Sequence, residues 1–224
     1  MQSRDRLIVA LDRSSRDEIL QLADKLRDAA GAFKIGLQAF IANGPALVRE
    51  LVARGDKIFL DLKVHDIPNT AKHAVADVAA LGVNMTTVHT SGGEEMLRAA
   101  ARDDILVLGV TVLTSLDAKP DEVVRLARLA KKCGLRGVVA SPLEIEAIRA
   151  ACGSEMVIVT PGVRPEGSDS GDQRRTKTPA AAIAAGADYI VVGRPITDAP
   201  APHDAALRII EQLDGAGRSQ SASS

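Results

Sequence analysis

Eight short runs of Val, Ile, Leu and Ala recur along the 224-residue chain, and each gives way to a longer stretch with helical spacing. The runs are rich in apolar residues rather than strictly alternating, the pattern of strands buried on both faces. They read as Leu7 to Ala10, Ala32 to Ile35, Lys57 to Leu60, Met85 to His89, Leu106 to Thr111, Gly137 to Ala140, Met156 to Thr160 and Tyr189 to Val192. The intervening stretches predict helices such as Arg16 to Ala29, Pro45 to Arg54, Thr70 to Leu81, Asp121 to Cys133 and Pro142 to Ala151. Pro45 and Pro142 fall where a first helical turn tolerates proline, and Gly55, Gly82 and Gly134 fall where helices end. Strands alternating with helices imply a parallel sheet. About 28 residues per repeat fits a βα unit, and eight repeats predict closure into a (β/α)8 TIM barrel, an α/β fold. An open doubly wound sheet is the alternative. It is weakened because no G-x-G-x-x-G follows the first run. A single barrel domain is expected over residues 1–213, with a Gly- and Ser-rich disordered tail over 214–224.

Composition narrows the function. Charged residues are 25% and apolar ones 46%, which excludes a disordered, collagenous or coiled-coil chain. The net charge is -1 and aromatics are 2%, so neither a global field nor a stacking platform favours nucleic acid as a partner. Cys133 and Cys152 match no zinc or redox spacing and read as buried small hydrophobes. No stretch approaches a membrane span, and the first apolar run is too short for a signal peptide. A cytoplasmic protein with no membrane partner is the expectation.

A barrel carries its site at the C-terminal ends of its strands, so polar residues gathered there are informative. Asp12 follows the first strand, Lys34 lies in the second, and the third runs into Asp61-Leu62-Lys63-Val64-His65-Asp66-Ile67-Pro68-Asn69-Thr70. Asp61 and Lys63, at strand spacing i and i+2, point to the same side and into the barrel mouth. Lys34 on the neighbouring strand is a natural third member, since buried ions need partners. Asp66 lies beyond the strand: it can turn back into the mouth, cap the next helix or reach another subunit. Asn69 or Thr70 is a reasonable N-cap for that helix. Thr114 and Ser115 follow strand five. Strand seven ends in Thr160-Pro161-Gly162-Val163-Arg164 and strand eight in Gly193-Arg194. These two loops often build a phosphate site in barrels, and the glycines permit close approach while the arginines supply forked donors. Pro195-Ile196-Thr197 could open a short helix there. The polar segment Pro165 to Pro179 beside them is a lid candidate. His65 and His89 are weighed as metal ligands with Asp61 and Asp66, but read better as scaffold residues. No metal is assigned.

The segment Asp61 to Thr70 closely resembles the signature of the orotidine 5'-monophosphate decarboxylase family. So do Ala10-Leu11-Asp12, Phe33-Lys34-Ile35-Gly36, Val112-Leu113-Thr114-Ser115, Thr160 to Arg164, Asp172-Gln173 and Val192-Gly193-Arg194. The resemblance covers roughly residues 6–213, in the family's order. It implies cofactor-free conversion of orotidine 5'-monophosphate to uridine 5'-monophosphate, a lyase step of pyrimidine biosynthesis. Lys63 would be the proton donor, with Asp61, Lys34 and Asp66 completing a charged network. Asp66 would cross a homodimer interface. Asp12, Lys34 and Thr70 would hold the ribose, with Asp66 as a further contact. Thr114 and Ser115 would lie at the pyrimidine, and Arg164, Gln173, Gly193 and Arg194 at the phosphate. Pro161 joins the substrate-binding set. Two other readings compete: a magnesium-dependent sugar-phosphate decarboxylase on the same barrel, and a catalytically silent phospho-ligand binder.

Overall fold

The computed structural model describes residues 1–117, 119–164 and 177–221. Its order is β1 (Leu7–Ala10), α1 (Arg16–Leu26), β2 (Ala32–Gly36), α2 (Leu37–Ala53), β3 (Ile58–Val64), α3 (Pro68–Ala79), β4 (Met85–His89), α4 (Gly93–Ala100) and β5 (Leu106–Val110). It continues with α5 (Pro120–Lys132), β6 (Gly137–Val139), α6 (Ile145–Cys152), β7 (Val157–Thr160), α7 (Pro179–Ala184), β8 (Tyr189–Val192), α8 (Arg194–Thr197) and α9 (Pro202–Ser221). Each strand pairs in parallel with the next, and β8 pairs with β1, so the sheet is a closed barrel of eight strands. The expected TIM barrel is the observed fold.

Two apolar layers hold it. Inside the barrel, Ile8, Ala10, Ala32, Phe59, Met85, Leu108, Val159 and Val191 form one cluster. The alternate strand residues, among them Leu7, Val9, Phe33, Ile35, Ile58 and Leu60, pack outward against the helices. Branched side chains dominate the outer layer and make up half of the buried inner cluster, in which Phe59 is the one buried aromatic. Burying one such side chain contributes roughly 1.5–3 kcal/mol, so the strand runs that first identify the fold also stabilise it.

Several boundaries move, each for a local reason. The helix expected from Pro45 begins earlier: α2 has two parts meeting at Gly44, whose φ of 64° only glycine adopts easily, and Pro45 restarts the second part. Pro142 does not open α6. Ser141 and Glu144 form their own turn, with the Glu144 carboxylate accepting the Ser141 N–H at 2.9 Å, and the helix starts at Ile145. Neither Asn69 nor Thr70 caps α3, because Pro68 is already its first residue and Ile67 holds the cap position. Helix α9 runs to Ser221, past the boundary expected at 213. Gly55, Gly82 and Gly134 do end helices, with φ of 83°, 82° and 88°. Among the described residues, no helix is long and apolar enough to cross a membrane.

Candidate active site

The C-terminal mouth of the barrel opens into a cavity of about 490 Å³. Register explains who meets there. Ala10 pairs with Lys34, Lys34 with Phe59, and Gly36 with Asp61, so β1, β2 and β3 bring their inward residues to neighbouring heights. Lys34 Nζ donates to Asp12 Oδ1 at 2.8 Å, and Lys63 Nζ donates to Asp61 Oδ2 at 2.6 Å. All four residues line the cavity. The charges thus form two adjacent pairs. Lys34, anticipated as a partner of the Asp61–Lys63 pair, bonds instead to Asp12.

Lys63 reaches this position by an irregular route. On β3 the register steps from Leu60 opposite Thr86 to Val64 opposite Val88, so the strand bulges between them. Within the bulge, Lys63 has φ of 52°, the one non-glycine residue in the left-handed region among those described. That conformation costs an unbranched side chain roughly 1–2 kcal/mol. Strand alternation alone would place Asp61 and Lys63 on one side, and they do converge, but through a distorted backbone. The Thr87 hydroxyl on β4 accepts the Lys63 N–H at 2.8 Å and donates to Asp61 Oδ1 at 2.8 Å.

On the opposite wall, Pro161, Gly162 and Arg164 from the β7 end face the same cavity as Gly193 and Arg194 from the β8 end. The anticipated short helix is α8, starting at Arg194, where the Gly193 carbonyl accepts the Ile196 N–H at 2.8 Å. Thr114 also lines the cavity, whereas Ser115 does not. Gln173 and most of the Pro165 to Pro179 segment lie outside the described residues. The described ends of that loop are tied by a parallel bridge between Val163 and Lys177.

Asp66 and Thr70 stand apart from this constellation. Both are exposed, and neither lines the cavity of its own chain. Asp66 Oδ1 accepts the Ile67 N–H at 2.7 Å, and Ile67 is 66% exposed.

Sequence reasoning missed Arg13, Gln38, Thr197 and Thr87. Arg13, Gln38 and Thr197 line the cavity. Arg13 adjoins Asp12, and Thr197 lies within the Pro195-Ile196-Thr197 segment read as a short helix, so proximity to Asp12 and Arg194 was a usable signal. Thr87 sits in the run Met85-Thr86-Thr87-Val88-His89, which reads as an ordinary buried strand. His89, at the end of β4, packs its ring 5.4 Å from that of His65. Burial, His65 and Lys63 lower the His89 imidazole pKa, against a smaller opposing pull from Asp61.

Known proteins resemble this chain along nearly its whole length. A curated orotidine 5'-phosphate decarboxylase of Moorella thermoacetica is 49% identical, covering 96% of this chain and 94% of that protein. Another, from Escherichia coli O139:H28, is 48% identical over 88% of this chain and 87% of its own length. The crystal structure of orotidine 5'-phosphate decarboxylase from Lactobacillus acidophilus superposes with a TM-score of 0.82 at 34% identity, covering 92% of this chain and 98% of that one. The model of the orotidine 5'-phosphate decarboxylase / HUMPS family matches residues 5–209, and the chain belongs to that family.

Proposed function

We propose that this chain decarboxylates orotidine 5'-monophosphate to uridine 5'-monophosphate, in pyrimidine biosynthesis, and that Lys63 carries the chemistry. One observation supports this reading above the others: a lysine ammonium held 2.6 Å from a carboxylate, on the wall of a cavity that also contains Arg164 and Arg194.

Loss of carbon dioxide from the orotate ring leaves an electron pair at ring carbon 6. The pair lies in the ring plane, where the π system cannot delocalise it. Stabilisation must come from charge already in place. The Lys63 ammonium, aimed at carbon 6, offsets the developing negative charge and then transfers its proton to that carbon. The bond to the carboxyl carbon breaks, its electron pair stays on carbon 6, and the proton from Lys63 Nζ closes the valence. Asp61 holds the ammonium charged and directed. Lys34 and Asp12, paired at 2.8 Å, offer a donor and an acceptor suited to ribose hydroxyls. Thr114 lies at the pyrimidine, and Arg164, Gln173, Gly193 and Arg194 take the phosphate. The phosphate is far from the breaking bond, so its binding energy serves to orient the ring and raise turnover.

Asp66 and Thr70 enter this scheme from a second copy of the chain. Their exposure beside the solvent-facing Ile67 supports a homodimer in which each mouth receives them from its partner. The decisive assay follows the absorbance of orotidine 5'-monophosphate in the presence of a chelator. Substrate loss with equimolar uridine 5'-monophosphate supports the proposal. No loss, or loss only after magnesium is added, overturns it.

A further inference from the structure

The geometry points to Thr87 as a positioning residue for the Lys63–Asp61 pair, an inference that rests on the decarboxylase reading. Thr87 is fully buried on β4, and its side chain makes both of its hydrogen bonds to the pair. The direction of each bond follows from the chemistry. A carboxylate only accepts, so the single hydroxyl proton goes to Asp61 Oδ1, and a hydroxyl lone pair receives the Lys63 N–H.

The two bonds do different work. The bulge takes the Lys63 N–H off the regular ladder, where a buried donor left without a partner would be costly. The Thr87 oxygen replaces that missing acceptor and so holds Lys63 at its φ of 52°. The second bond fixes the carboxylate rotation. With Oδ1 engaged by Thr87, Oδ2 is presented to Lys63 Nζ at 2.6 Å. A closed circuit results, from the Lys63 backbone through Thr87 and Asp61 to the Lys63 ammonium. Its neighbour Thr86 braces the other side of the strand, donating to the Leu60 carbonyl at 2.9 Å, just before the bulge. Thr87 touches no reacting atom in this scheme. It determines where the ammonium points.

The test compares Thr87→Val, which keeps the shape and deletes the hydroxyl, with Thr87→Ser, which keeps the hydroxyl. Misplacing a reacting group by an ångström can cost about a hundredfold, so T87V is expected to lower kcat by about 10- to 100-fold. KM for orotidine 5'-monophosphate should stay within about threefold, because the ribose and phosphate contacts are untouched. T87S should restore most of the lost turnover. A merely structural threonine would give a changed melting temperature without this split or this rescue. Should T87V not fold, Thr87→Ala against Thr87→Ser carries the same comparison. Equal kcat in wild type and T87V, or a serine variant as slow as the valine one, overturns the inference while the decarboxylase reading stands. Absence of turnover in the wild type overturns both.

Discussion

At the scale of single residues, the site is built from groups placed where they would be unfavourable alone. Lys63 occupies a left-handed backbone conformation, and Asp61 is nearly buried. Each is stabilised by the other and by Thr87. His89 shows the same coupling in its titration. Because burial, His65 and Lys63 lower its pKa below the ordinary 6.5, the unfolded chain takes up this proton first as the pH falls. Stability is therefore lost as the pH drops through that ordinary value, until the folded pKa is also passed. Denaturant midpoints of wild type and His89→Asn between about pH 7.5 and pH 5.5 check this: the wild type should lose more stability on acidification than the variant. Parallel losses would contradict the assignment. The pairing of Asp61 with Lys63 was legible in the sequence, because alternation along a strand sets which side chains share a face. The bulge was not, because no glycine marks it: the left-handed residue is the lysine itself. Thr87 was invisible for a related reason, since a buried threonine in a strand has many roles that spacing does not separate.

At the scale of elements, β2 and the β8–α8 turn line the cavity with the charged groups to which the proposal gives recognition, and Gly36 leaves room for one of them. A Cβ on Gly36 would sit 2.8 Å from Lys34 Nζ and 3.0 Å from Asp12 Oδ1. Its backbone is extended, with φ of -94° and ψ of -176°, so alanine is conformationally acceptable there. Gly36→Ala is thus expected to leave the melting temperature within a few degrees while displacing the Lys34–Asp12 pair, raising KM about tenfold. An unchanged KM would remove that pair from ribose binding. For Arg194→Ala, loss of a hydrogen bond to a charged phosphate, worth about 1.5–3 kcal/mol, should weaken uridine 5'-monophosphate binding about 10- to 100-fold. Calorimetry with uridine as the reference checks it: the variant's affinity for the unphosphorylated nucleoside should be unchanged. The elements themselves were largely readable, since eight apolar runs can be counted without a structure. Their ends were less so. Helix α6 starts three residues after Pro142 because a Ser141–Glu144 turn competes for that segment, and such a turn is closed by side-chain bonds of Ser141 and Glu144 that spacing does not announce.

At the scale of the whole molecule, one barrel supplies most of a site, and the proposal gives the remainder to a second copy. Asp66 and Thr70 face solvent in the isolated chain, and the sequence left open whether Asp66 served its own mouth, a helix cap or a partner. Mixing two inactive variants distinguishes these. In a heterodimer of Lys63→Ala with Asp66→Asn, one mouth carries both defects and the other carries neither. Co-refolded equimolar variants should therefore recover about a quarter of wild-type activity if exchange is random. No recovery would place Asp66 in its own chain's site, and an Asp66→Asn variant active by itself would put it outside the chemistry.

If the Lys63 ammonium makes an anion at carbon 6 of the pyrimidine ring tolerable, that anion is also accessible from the product. Uridine 5'-monophosphate incubated in deuterium oxide with the enzyme should exchange its carbon 6 hydrogen, read by proton NMR. In Lys63→Ala, with the fold intact by circular dichroism, exchange should slow by at least about a hundredfold, the contribution expected of a positioned acid–base group. Exchange at the wild-type rate in that variant would contradict the account.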